Sequence, residues 1–163
     1  MREVTVRIRF TRPCLGNVQD RRHNDGRLVF ARTGDGQVMF LPSWHKQNLR
    51  LAAQLLGRHQ EEVDKIHFDV AVDGALRRDC WYKRYYVGHD RKRRYAWHEC
   101  FFPGQVVGIN CIVPSTISDD DLLQLFNIAG RYRGLSPWKP GEYGHFVVEK
   151  ITPRRGLAPE RDA

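Results

Sequence analysis

No stretch of this sequence approaches the roughly 20 consecutive apolar residues that a membrane-spanning helix requires. Cysteine is scarce: Cys14, Cys80, Cys100 and Cys111 stand far apart, with no CxxC pair and no signal peptide ahead of them. A soluble protein of a reducing, cytoplasmic compartment is expected, without a membrane partner. There is no P-loop, no Rossmann glycine fingerprint and no G-x-S-x-G elbow, which leaves nucleotide hydrolysis and serine-hydrolase chemistry without a foothold. The histidines (His23, His45, His59, His67, His89, His98, His145) show neither HxxxH nor HExxH spacing. His98 and Cys100 share one side of an expected strand, but two ligands do not make a zinc site. No metal and no cofactor is expected.

Acids are also in the minority. Lys and Arg number 27 against 19 Asp and Glu, giving a net charge of +8 and a pI near 9.6. Such a chain attracts anions at neutral pH. Nucleic acid is the leading partner class, ahead of an acidic protein or a membrane surface, and a basic surface kept for solubility is the plain alternative. Its 163 residues, 41% hydrophobic and 28% charged, suit one globular domain with a single core.

Along the chain, Val4, Val6, Ile8 and Phe10 alternate with Thr5, Arg7 and Arg9, the period of a half-buried strand. Residues 13–26 read as an exposed polar loop. Residues 27–41 hold two short apolar runs around Thr-Gly-Asp-Gly, a hairpin signal. Leu49, Ala52, Leu55 and Leu56 recur at helical spacing, predicting a helix from about Trp44 to Gly57 with Ser43 as its cap. A strand follows over Ile66, Phe68, Val70 and Val72. Residues 105–113 read as a buried β-branched strand entered through Pro103-Gly104. Ser118 then caps a helix whose first turn holds Asp119, Asp120 and Asp121, where carboxylates favour the positive end of the dipole. Leu122, Leu125, Phe126 and Ala129 form its buried face. A loop with Gly130, Gly134, Gly141 and Gly144 leads to a last strand over Phe146, Val148 and Ile151, and residues 153–163 are expected as a flexible tail.

Setting aside the early hairpin and an insert at about 74–98, the order is βαββαβ. That predicts an α+β, ferredoxin-like sandwich over residues 1–152, with two helices on one face of an antiparallel sheet and the other face open to a ligand.

The helix, glycine loop and strand DLLQLFNIAGRYRGLSPWKPGEYGHFVV, together with this order, resemble the RAMP superfamily of RNA-binding proteins in CRISPR systems. Those proteins carry a glycine-rich loop after their last helix that approaches the RNA backbone, and some carry a protruding hairpin between the second and third core strands. The glycines here are spread more widely than in the clearest family loops, and Gly130 is also explained as an ordinary helix C-cap. The resemblance implies a non-catalytic RNA-binding subunit of a CRISPR-type complex serving antiviral defence, or a phage-type protein acting on such a complex.

The insert RRDCWYKRYYVGHDRKRRYAW has the residue types that grip a single strand: cations for phosphates and rings for bases. Arg77, Arg78, Lys83, Arg84, Arg91, Lys92, Arg93 and Arg94 are the candidate phosphate contacts. Trp81, Tyr82, Tyr85, Tyr86, Tyr95 and Trp97 are the candidate stacking surfaces, some of them expected in the core. In a hairpin with its tip at Gly88-His89-Asp90, alternation sets Tyr82 and Arg84 on one side and Trp81, Lys83 and Tyr85 on the other. Arg131, Arg133, Gly134, Trp138 and Lys139 of the glycine loop complete the candidate surface. RNA and single-stranded DNA are both compatible partners. Two rival readings remain: a protein interaction module docking on a nucleoprotein assembly, and a metal-independent ribonuclease using His89 or His145.

Overall fold

A computed structural model describes residues 1–20, 25–135 and 142–154. In chain order the elements are β1 (Arg2–Phe10), β2 (Cys14–Leu15), β3 (Val18–Gln19), β4 (Leu28–Val29), α1 (Pro42–Leu55), α2 (Gln60–Asp64), β5 (His67–Asp73), β6 (Trp81–Val87), β7 (Arg93–Phe101), β8 (Val106–Val113), α3 (Asp119–Tyr132) and β9 (Phe146–Pro153). The alternating first strand sits inside a four-stranded sheet of order β5-β8-β1-β9, antiparallel throughout. The unit β1-α1-β5 brackets β8, and β8-α3-β9 brackets β1. This is the expected ferredoxin-like βαββαβ arrangement.

Val4, Val6, Ile8 and Phe10 are buried, and directly beside them on β8 stand Cys111, Ile109 and Val107, also buried. The two helices cover this face. In α3 the Ser118 hydroxyl accepts from Asp121 N (3.1 Å) while the Asp121 carboxylate accepts from Ser118 N (3.4 Å), a reciprocal capping box. Helix α1 begins earlier than the spacing predicts, at Pro42 with Leu41 as an uncapped N-cap, because proline is preorganised for the first helical position. Ser43 therefore lies inside the helix. The short helix α2 went unpredicted.

The polar segment 13–26 is not wholly a loop. Cys14 and Leu15 are buried and pair with Phe101 and Cys100, and Val18–Gln19 pairs with Leu28–Val29. The expected hairpin over 27–41 keeps its turn, with Arg32 bridging Val38, but its arms diverge. The first joins β7 at His98 in parallel, and the second runs beside β5 through Phe40 N to Val70 O (3.0 Å or less) and Met39 opposite Ala71.

The insert is a long hairpin, β6 against β7, paired from Trp81↔Glu99 to Val87↔Arg93. Its foot is fixed by rings. Phe101 lies 5.8 Å from Phe10, 5.3 Å from Phe30 and 6.0 Å from Phe40, all four fully buried. Strand β9 runs through Pro153, and Arg154 pairs with Asp69 (2.6 Å), so order continues past the expected end at residue 152. Residues 155–163 of the expected tail lie outside the described residues.

Candidate nucleic-acid interface

The pairing of β6 with β7 sorts the insert into two faces. Directly opposed residues share a face, so Tyr82, Arg84, Tyr86, Arg94, Ala96 and His98 stand on one side. Trp81, Lys83, Tyr85, Val87, Arg93, Tyr95, Trp97 and Glu99 stand on the other. The division between Tyr82 with Arg84 and Trp81 with Lys83 and Tyr85 is the one that alternation predicts.

The first face is structural at its foot. Arg84 is only 5% exposed, so the expectation that it contacts phosphate is corrected. Its Nε–H donates to His98 Nε2 (2.9 Å), and His98 Nδ1 lies 2.6 Å from Gly16 O. A carbonyl only accepts, so the proton sits on Nδ1 and Nε2 receives the guanidinium. Burial lowers the His98 pKa, opposed by the bond to Gly16 and reinforced by Arg84, which keeps the ring neutral. A Cβ on Gly16 would collide with the Val29 backbone, so this approach needs glycine there. Tyr82 packs edge-on to Tyr143, with ring centroids 6.1 Å apart.

The second face is open above its foot. Tyr85 is 57% exposed, Tyr95 55% and Trp97 40%. Lys83 Nζ stands 4.1 Å from the Tyr95 centroid, 5.3 Å from Tyr85 and 5.6 Å from Trp97. Arg93 adds a second cation 5.4 Å over Tyr85. Trp81 and Tyr82, nearer the foot, are half-buried. At the foot, Glu99 is buried and accepts from Phe30 N (2.9 Å) and Arg32 (2.6 Å). At the tip, Arg91 takes a positive φ of 62°, and Lys92 N donates to the Asp90 carboxylate (3.1 Å), which also pairs with Arg94. Arg77 and Arg78 are exposed where the chain enters the hairpin, Arg77 lying 5.8 Å from the Phe102 ring.

Among the described residues, the neck of the glycine loop meets the hairpin where Tyr143 packs on Tyr82. Gly134 is buried with φ of 79°, and a Cβ there would stand 2.6 Å from Tyr143 O. A Cβ on Gly130 would strike Phe146 O. Both glycines are therefore explained by close backbone contact between the end of α3 and the start of β9. Leu135 N donates to Gly144 O (2.9 Å), closing the neck. Arg133 turns to α1 and donates to Gln47 Oε1 (3.0 Å), and Arg131 lies 5.4 Å over Tyr132 on the exposed end of α3. The structure does not bring either into the open hairpin face. Trp138, Lys139 and Gly141 lie outside the described residues.

On the uncovered sheet face, expected to be free for a ligand, Arg7 and Lys150 stand opposite each other and exposed. Arg9 pairs with Glu149 (3.2 Å), and Asn110 links Thr5 (2.6 Å) to Asp73 (3.1 Å). His89, at the hairpin tip, and His145, whose carbonyl accepts from Thr11 N (2.8 Å), occupy opposite ends of the insert region and are not assembled into one site. Cys100 is buried and its thiol pushed up to about 12. Among the described residues no group of three His, Cys, Asp or Glu side chains is placed to hold a metal, and no helix is long and apolar enough to cross a membrane.

No family model matches the chain, and no curated protein sequence matches it. Its fold is similar to that of a chain in the cryo-EM structure of the Type III-B Cmr-beta bound to cognate target RNA. The TM-score is 0.67 at 15% identity, over 93% of this chain. The match spans 60% of that chain's length. The likeness is one of fold.

Proposed function

We propose that this protein binds single-stranded RNA through the open face of the β6–β7 hairpin, as a non-catalytic partner of a CRISPR-type nucleoprotein complex. The observation that carries the reading is Lys83, held 4.1 Å from Tyr95 between the exposed rings of Tyr85 and Trp97. A cation over an exposed ring contributes about 0.5–1 kcal/mol, and stacking of a base on an aromatic ring about 1–3 kcal/mol. The same patch therefore offers both grips that an unpaired strand accepts. Tyr85 and Tyr95 are 6.4 Å apart, as are Tyr95 and Trp97. Both pairs meet edge to face, so the three exposed rings form one continuous aromatic surface rather than a set of parallel slots.

The fold likeness to a chain from an RNA-bound Cmr-beta complex supports RNA over DNA and a multi-subunit setting. Four free, buried cysteines are in keeping with a reducing cytoplasm. The test is a gel shift of a labelled 20-nucleotide RNA at low salt. A shift is expected that weakens steeply as salt rises, because bound phosphates release counterions, and that a duplex of the same sequence competes for poorly. A folded protein that fails to shift single-stranded RNA or DNA, yet co-purifies with a defined protein complex, overturns the reading in favour of a protein interaction module.

A further inference from the structure

At the foot of the open face lies a cleft of about 310 Å³ lined by Arg27, Asp79, Trp81 and Trp97. Three segments far apart in sequence build it. Arg27 precedes β4, Asp79 leads into β6, and the two tryptophans come from β6 and β7. Trp81 stands opposite Glu99, and Trp97 opposite Lys83, so the two tryptophans are diagonal neighbours on one face, within reach of each other's large side chains.

One wall is already completed by a cation. The Arg27 guanidinium lies 5.0 Å over Trp81 and is held by Asp25 (2.7 Å), and guanidinium planes stack on bases as aromatic rings do. The other wall, Trp97, is 40% exposed and continues upward into the Tyr95 and Lys83 patch. A strand lying along the open face would therefore pass the mouth of the cleft. Asp79 is exposed, and an ionised carboxylate is acceptor only.

We propose that this cleft receives one unstacked nucleobase of the bound strand and that Asp79 makes guanine the favoured one. Guanine presents two adjacent donors, N1–H and the N2 amino group, which a carboxylate accepts side by side. Cytosine and adenine present one amino donor beside a ring acceptor, and uracil presents N3–H flanked by two carbonyls that repel the carboxylate. The expected order is guanine first and uracil last. The proposal rests on the single-strand reading of the hairpin and shares Trp97 with it, while Arg27, Asp79 and Trp81 belong to the cleft alone.

Calorimetric titration of the intact protein with GMP, AMP, CMP and UMP tests it, alongside 12-mer oligo-U with and without one central guanosine. GMP is expected to bind about tenfold more tightly than UMP, the margin of one good bidentate contact. Asp79→Asn should abolish that margin from both sides, since its amide presents a donor to guanine and no longer repels the uracil carbonyls, while leaving thermal stability unchanged. Trp81→Phe should keep the preference with weaker binding. Equal affinity for all four nucleotides, a preference that survives Asp79→Asn, or no nucleotide binding by the folded protein overturns the proposal. Oligo-U binding without base preference would sink the cleft and leave the hairpin reading intact. GMP preference in a protein that binds no single strand would do the reverse.

Discussion

The two faces of the β6–β7 hairpin hold the same kinds of residue and put them to opposite use. On one, Arg84 is buried against neutral His98, and Tyr82 packs on Tyr143. On the other, Lys83, one residue earlier, stands among Tyr85, Tyr95 and Trp97 in the open. What separates these residues is what chain-distant segments cover: Gly16 and Tyr143 close the foot of the first face over Arg84 and Tyr82, while on the second face Tyr85, Tyr95 and Trp97 are left exposed. Residue type alone does not make a cation a ligand contact.

The sharpest way to break this comparison is to strip the open face. Tyr85→Ala, Tyr95→Ala and Trp97→Ala together should weaken binding of single-stranded RNA at least 100-fold, about three stacking contacts at the low end of their range, with little change in thermal midpoint. If the triple variant binds RNA as the parent does, the open face is not the interface.

Arg84→Ala should act on the other side. It leaves His98 Nε2 buried without its donor, a loss of about 1–3 kcal/mol, read as a lower thermal midpoint with RNA affinity per folded molecule unchanged. A stability equal to the parent's would deny Arg84 its structural role.

Acid provides a third test. His45 is buried against Phe68, ring centroids 4.4 Å apart, and burial takes its pKa down to about 3. His98 is lowered as well. Both bind protons more readily when unfolded, so stability is full above the unfolded value near 6.5 and falls as pH drops, for His45 until about 3. His45→Phe should flatten part of that fall in denaturant titrations between pH 7 and 4. The RNA affinity of the folded protein should not follow the same curve, since the open face has no histidine.

The smallest effects sharpen the comparison with the uncovered sheet face. Lys83→Ala should reduce the dependence of affinity on salt by about one phosphate contact, whereas Arg9→Ala should change neither RNA affinity nor stability beyond about 0.5 kcal/mol. A larger loss of affinity in Arg9→Ala would move the interface onto the sheet.

Much of the scaffold was legible in the sequence. The alternation of Val4, Val6, Ile8 and Phe10, the Ser118 cap and the spacing of Leu122, Leu125, Phe126 and Ala129 are local signals, and each marks its element. The strands of the hairpin and the sorting of its residues into faces were legible for the same reason. Strands of two residues such as Cys14–Leu15 and Val18–Gln19 have no period to read and form only because β7 and β4 are there to pair with them. Which face of the hairpin is covered depends on Gly16 and Tyr143, one far before it and one far after it. Arg27 was read only as the start of the early hairpin, and no pattern in the sequence joins it to Trp81. Gly130 was read as a helix C-cap, but it lies inside α3, which runs to Tyr132, and like Gly134 it lets two backbones touch.

The ring cluster at the hairpin foot has a thermodynamic consequence. With Phe101 wedged among Phe10, Phe30 and Phe40, the hairpin is a fixed post, and its stacking rings are set before any strand arrives. Ordering entropy on association then falls on the ligand alone, which is the condition under which modest contacts yield useful affinity. Loosening the post, for instance by Phe101→Ala, should therefore slow capture and weaken binding even though Phe101 is too deeply buried to meet a nucleotide.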